Sequence, residues 1–267
     1  MKLLHVLGMA LLFVAVPGFA APASVFLEDL TSVEVAAAVR EGHTTIIIPV
    51  GGVEQNGPHM ALGKHNLRAK VLAGRIALQL GNAIVAPVIA YVPEGKVTPP
   101  TEHMRFAGTI SVPEPAFKGI LDGAARSFRQ HGFRDIVLLG DHGGYQSALE
   151  AVADSLNRDW AKSGARAHFV GEYYRATQTR YIDALKAKGL TDAQIGIHAA
   201  TADTSLMMAI DPAMVKPELF AQAAREGRAG GVVGDPRPSS AALGQLGVDA
   251  IIQQSVAAIR AAVAAPR

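Results

Sequence analysis

The chain has no cysteine among its 267 residues, a single tryptophan and only 6% aromatic residues. Without thiols there is no disulfide scaffold, no thiol nucleophile and no cysteine-ligated zinc or iron–sulfur site. Charge is scarce as well: 18% of residues, with 25 Lys+Arg against 23 Asp+Glu and a net charge of +2. No basic cluster concentrates that small excess, so neither nucleic acid nor an acidic membrane surface is implied as a partner. A hydrophobic share of 49% excludes extensive disorder. The chemistry left to this chain must use histidine, carboxylates, hydroxyls, or a metal held by nitrogen and oxygen. Long apolar runs are also missing. The longest near the start, Leu3 to Val16, has about 14 residues against the ~20 of a membrane-spanning helix. Lys2 precedes it and Pro17-Gly18-Phe19-Ala20 follows, with small residues at the positions a signal peptidase reads. Residues 1–20 therefore read as a signal peptide cut after Ala20, with a second possible cut after Ala23. The alternative is a retained anchor. A single domain over 24–267 and a periplasmic or secreted location follow from the first reading.

What is present is an alternation of strands and helices. Val33 to Arg40 reads as a helix, and Thr44 to Val50 as a buried strand ending in Gly51-Gly52. A helix over Asn66 to Leu80 follows, with Asn66 as candidate cap and Gly81 as stop. Ala83 to Val92 reads as a strand that Pro87 can divide. A loop rich in proline, glutamate and histidine (Pro93 to Ala107) leads to a short strand over Gly108 to Val112. Helices over Glu114–His131 and Gln146–Lys162 flank a strand over Asp135–Leu139; a strand over Ala165–Gly171 and a tail helix over Gly244–Ala264 complete the pattern. It argues for an α/β fold, a mostly parallel sheet with helices on both faces.

Ligands of such sheets gather beyond the carboxyl ends of the strands. Two Gly-rich polar turns occupy that position: Gly51 to His59, with Lys64-His65-Asn66 shortly after, and Gly140-Asp141-His142-Gly143-Gly144. Neither fits a phosphate-binding glycine pattern, and Glu54 and Asp141 would repel a phosphate. No G-x-S-x-G elbow is present for a serine nucleophile. Two polar turns that each carry histidine favour a metal or catalytic site.

Five segments in order resemble the creatininase family of amidohydrolases. PVGGVEQNGPHMALGKHN (Pro49 to Asn66) is similar to its first metal-binding motif, TEHMRFAGTISV (Thr101 to Val112) to its second block and LLGDHGGYQ (Leu138 to Gln146) to its strand-ending NGHGGN. HAATADTSLMMAIDPAMV (His198 to Val215) and GVVGDPRPSSAALG (Gly231 to Gly244) match the last two. The resemblance implies a three-layer α/β/α sandwich, a two-metal site of zinc or manganese, hydrolysis of cyclic amides or related C–N bonds, and a homo-oligomer such as a hexamer. It also implies that Glu54 and His142 are metal ligands. Two family ligands are replaced: Asn56 stands for a histidine and His65 for the aspartate that bridges the metals, while Asp203 falls on a family glutamate.

An imidazole gives one nitrogen to one metal, and an amide oxygen is a weak zinc ligand. The expected set is therefore Glu54, His65 and His142, with Asp203 or water in the fourth position, holding one divalent metal per chain, zinc ahead of manganese. His198, Asp203 and Glu102 are the expected proton carriers. His103 is a further candidate for the pocket wall, and His59 for a ligand or a loop-shaping hydrogen bond. The partner is a small molecule rather than creatinine itself, because Trp160 matches no substrate-clamping position and Gly144 replaces a family glutamate. No membrane contact is expected after signal removal. The competing reading is a non-catalytic binding or assembly protein that keeps the fold with a degraded site.

Overall fold

The structure, a computed structural model, describes residues 22–266. The expected signal peptide lies outside them. In chain order the elements are α1 (Ser32–Arg40), β1 (Thr45–Val50), α2 (Lys64–Leu80), β2 (Ala83–Val85), α3 (Glu114–Gln130), β3 (Asp135–Gly140), α4 (Gln146–Asp159) and β4 (Arg166–Phe169). Then come α5 (Glu172–Gln178), α6 (Arg180–Ala187), α7 (Asp192–Ile195), α8 (Thr201–Ile210), α9 (Phe220–Glu226) and α10 (Ala241–Ala264).

The strands form one parallel sheet in the order β2-β1-β3-β4. Because side chains alternate across a strand, continuous apolar runs supply both faces. Ile46, Ile48, Val50, Ile136 and Leu138 pack with Phe117 and Leu121 of α3 and Leu149 and Leu156 of α4. Ile47, Val85, Val137 and Leu139 pack on the opposite side with Leu72 and Ile76 of α2, Tyr173 of α5, Leu206 of α8 and Ile251 of α10. The expected three-layer α/β/α sandwich is what forms. Among the described residues, α10 is the helix long and apolar enough to span a bilayer. Its Gly244 and Gly247 instead let α8 approach: a Cβ on Gly244 would lie 1.8 Å from the Ser205 carbonyl oxygen.

Several boundaries differ from the sequence expectation, for local reasons. β2 stops at Val85, ahead of Pro87, which has no N–H for a ladder; Ile89 regains a single bridge to Val50. Gly108 to Val112 forms no strand and bonds only singly, Ile110 to Val53 and Val112 to Val92. Helix α2 begins at Lys64, and Asn66 is not its cap; the Asn66 side chain accepts from the Gly52 N–H instead.

Candidate metal centre

Val50 of β1 lies opposite Gly140 of β3, so the two polar turns leave the sheet side by side. Tyr145, buried beneath them, donates to the Val50 and Gly51 carbonyls and accepts from the His142 N–H. The first turn of α2 points back at this edge and buries Lys64, His65 and Arg68. The 93–107 loop and the segment ahead of α8 close the site from two further sides.

Glu54 is fully buried, and its two oxygens face different surroundings. Oε1 accepts from His65 Nε2 at 2.7 Å and lies 3.2 Å from Lys64 Nζ. Oε2 faces His103 Nε2 at 3.1 Å and His142 Nε2 at 3.5 Å, and has no hydrogen-bond partner. Burial alone would raise this carboxyl, but the Lys64 charge and the hydrogen-bonded His65 hold it well below the usual range. Glu94 is buried beside it with both oxygens unpartnered, Oε2 lying 3.6 Å from His142 Nδ1. Burial and the Glu54 charge push Glu94 up to about 8. Gly52 makes room for it: at φ +151°, a Cβ there would lie 2.6 Å from Glu94 Oε1.

Burial favours the neutral form of the two imidazoles that face Glu54 Oε2. His142 is pushed down to about 3 by burial and by the His65 and Lys64 charges; burial also lowers His103. One ligand atom from each of Glu54, Glu94, His103 and His142 falls within 4.8 Å of all the others. Two carboxylates and two neutral imidazoles are a donor set for a divalent metal. The orphaned oxygens argue for the same occupant, since buried acceptors otherwise find partners.

The residues expected from sequence come together to different degrees. Glu54, His65 and His142 converge, the two imidazole rings 5.2 Å apart. Both nitrogens of His65 are engaged, however: Nδ1 donates to Asp141 Oδ1 at 2.5 Å while Nε2 meets Glu54. Burial and Lys64 oppose the charged ring, yet Glu54 and Asp141 outweigh them and raise its pKa. Asp203 is engaged too, by Lys64 Nζ at 3.0 Å, Arg68 Nη1 at 3.1 Å and the Ala199 N–H. His198 lies at the rim, with Nδ1 3.7 Å from Glu54 Oε1 and Nε2 3.0 Å from the Gln55 carbonyl oxygen. Glu102 is exposed and lines an open cleft of ≈ 860 Å³ together with His103, His142 and His198. His59 bonds Thr204 Oγ1 at 3.0 Å. Asn56 braces the turn by donating to the Glu54 and Ala61 carbonyls. Trp160 is buried at the end of α4 beneath Arg129 and does not line that cleft.

Positive φ angles at Glu102 and Ala199, +47° and +51°, sit directly beside His103 and His198. Such backbone is uncommon outside glycine and concentrates at functional sites.

Sequence reasoning gave Glu94 and Arg68 no place in the site, named Lys64 without a role, and put His103 in the pocket wall rather than among the ligand candidates. For Glu94 the available signal was a glutamate just past the apolar run Ala83–Val92. For Lys64 and Arg68 it was a pair of cations four apart, on one face at the start of α2.

A parallel α/β/α sandwich with buried carboxylates and neutral imidazoles at the carboxyl edge of its sheet is the framework of a metal-dependent hydrolase. Residues 28–259 match the family model for creatininase, creatinine amidohydrolase. The chain belongs to the creatininase family of hydrolases, whose characterised relatives include amidohydrolases acting on C–N bonds. It is 28% identical to creatinine amidohydrolase of Pseudomonas putida over 197 residues, 72% of this chain and 74% of that protein. It is 34% identical to mycofactocin precursor peptide peptidase of Mycolicibacterium smegmatis over 124 residues, 45% of this chain and about half (47%) of that one. A crystal structure of creatinine amidohydrolase superposes with a TM-score of 0.75 at 24% identity, covering 91% of this chain and all of the other. Related creatininase structures include a manganese form and a form of Zn-Zn type.

Proposed function

We propose that this chain is a metal-dependent amidohydrolase that hydrolyses a small cyclic amide, or a related C–N bond, other than creatinine. The observation that carries the reading is the group of three buried carboxylate oxygens, Glu54 Oε2 and both of Glu94, that lack any protein partner beside two neutral imidazoles. Glu54, Glu94, His103 and His142 would hold the ion. Zinc suits the two-nitrogen, two-oxygen set, and manganese accepts it as well. When bound, such an ion supplies Lewis acidity, lowering the pKa of water and polarising a carbonyl.

The chain's own residues do the rest. Lys64 and His65 hold Glu54 by Oε1 and so aim Oε2 into the cage. His65 is thereby an orienting residue, itself fixed by Asp141. In the metal-free chain the Gly144 N–H donates to His142 Nδ1 and so orients the ring. His198, pushed down to about 4 by burial and by Lys64, is neutral at pH 7. With its Nε2–H on the Gln55 carbonyl, Nδ1 is free to take a proton at the cleft and return it to the leaving nitrogen. Asp203, neutralised by Lys64 and Arg68, holds that wall in place rather than moving protons.

The test is elemental analysis of protein purified without added metal. About one zinc or manganese per chain is expected, lost in Glu94→Gln and His103→Ala. A folded wild-type protein that holds no metal even after incubation with zinc or manganese would favour the non-catalytic reading. With residues 1–20 as a signal peptide, the reaction takes place outside the cytoplasm.

A further inference from the structure

Glu54 has an acidic neighbour on each side: Glu94 within the cage, and Asp203 on the side of α2 and α8. The second position already holds a cation. Lys64 is 1% exposed, and its ammonium lies 3.2 Å from Glu54 Oε1 and 3.0 Å from Asp203 Oδ2. Two carboxylate oxygens directed at one buried point form the kind of oxygen pair that a divalent ion takes. Here a monovalent charge is delivered to that point by the first residue of α2. We propose that Lys64 is a tethered cation that fills this second position and so limits the centre to one divalent ion. The proposal rests on the metal-centre reading above.

Three features support it. The charges balance without a second ion: Glu54, Asp141 and Asp203 face Lys64, Arg68 and a His65 ring that donates to two carboxylates. Arg68 is locked, with Nε bonding both Asp141 oxygens at 2.8 and 3.0 Å and Nη1 on Asp203, so Asp203 cannot swing away to serve elsewhere. An incoming dication would also have to displace an ammonium that the backbone holds at high effective concentration, and take from it both of its carboxylate partners.

The test is metal stoichiometry, measured by calorimetric titration with manganese and by elemental analysis after dialysis, for the wild type and Lys64→Ala. The wild type should saturate at one ion per chain. Lys64→Ala should gain a second, weaker ion and reach two per chain at millimolar manganese. A folded Lys64→Ala that still saturates at one ion overturns the tethered-cation assignment and leaves the metal cage standing. A wild type that binds no ion removes both. Should Lys64→Ala fail to fold, anomalous diffraction from wild-type crystals soaked in manganese decides. One peak beside Glu54 Oε2 supports the proposal; a second, between Glu54 Oε1 and Asp203, overturns it.

Discussion

Replacing Glu94 with glutamine separates the cost of this site in the metal-free protein from its value in the loaded one. In the folded, metal-free chain burial and the Glu54 charge push Glu94 up to about 8, against 4.5 for an ordinary glutamate. Between those limits the folded state binds a proton that the unfolded state has released. Stability conferred at this position therefore falls as pH rises from about 4.5 to about 8, and changes no further above that. One proton corresponds to ~1.4 kcal/mol per pH unit, so the ceiling over the window is roughly 4–5 kcal/mol; water entry and side-chain relaxation should bring it to about 2–4 kcal/mol. Glutamine has nearly the shape of the protonated acid and does not titrate. Any fixed penalty from its amide is independent of pH, and the other ionisable groups remain in both proteins.

The quantity to follow is the difference in unfolding free energy between wild type and Glu94→Gln. It would be measured by urea denaturation with a chelator present, at half-unit steps from pH 4.5 to 8.5. The glutamine variant should gain on the wild type steadily across the window. With saturating zinc at pH 8 the order should reverse, because a ligand that binds only the folded state stabilises it. A difference that stays flat within ~1 kcal/mol over the whole window would refute the reasoning.

Asn56→Ala removes a buried hydrogen bond to the Glu54 carbonyl and a part-buried one to that of Ala61; it should cost about 1–3 kcal/mol in denaturant melts and leave the metal content unchanged. For export, the mature amino terminus should be Ala21 or Ser24; Edman sequencing of protein recovered from the periplasm that began at Met1 would overturn the proposed location.

Much of the fold was legible in the chain itself. The runs Thr44–Val50 and Asp135–Leu139 are rich in Ile, Val and Leu with no alternating polar face, and only a strand covered on both faces buries every position of such a run. Each ends at a glycine followed closely by Glu54 or by Asp141-His142, so the position of a site beyond the carboxyl ends follows from local order alone. The helices before and between the strands were equally plain from their apolar spacing. Elements α5 to α8 were less so, being short and held by contacts with one another, with α10 and with the sheet rather than by their own period.

Tertiary structure decided which side chains face one another. Glu94 and His103 stand in one irregular loop whose path depends on the positive φ of Gly95 and Glu102 and on single hydrogen bonds to distant segments. No periodicity announces such a path. His65 lies eleven residues from Glu54 and seventy-six from Asp141, yet its ring is clamped between them. Lys64 and Arg68 could be read along the chain only as two cations on a helix. That helix enters with its first turn aimed at the carboxyl edge of the sheet, and this direction turns them into buried counterions of Glu54, Asp141 and Asp203. A sequence sets which charges exist and which stretches must be buried. Where two buried charges meet depends on the packing of whole elements, and at this site that packing determines which oxygens are left without a partner.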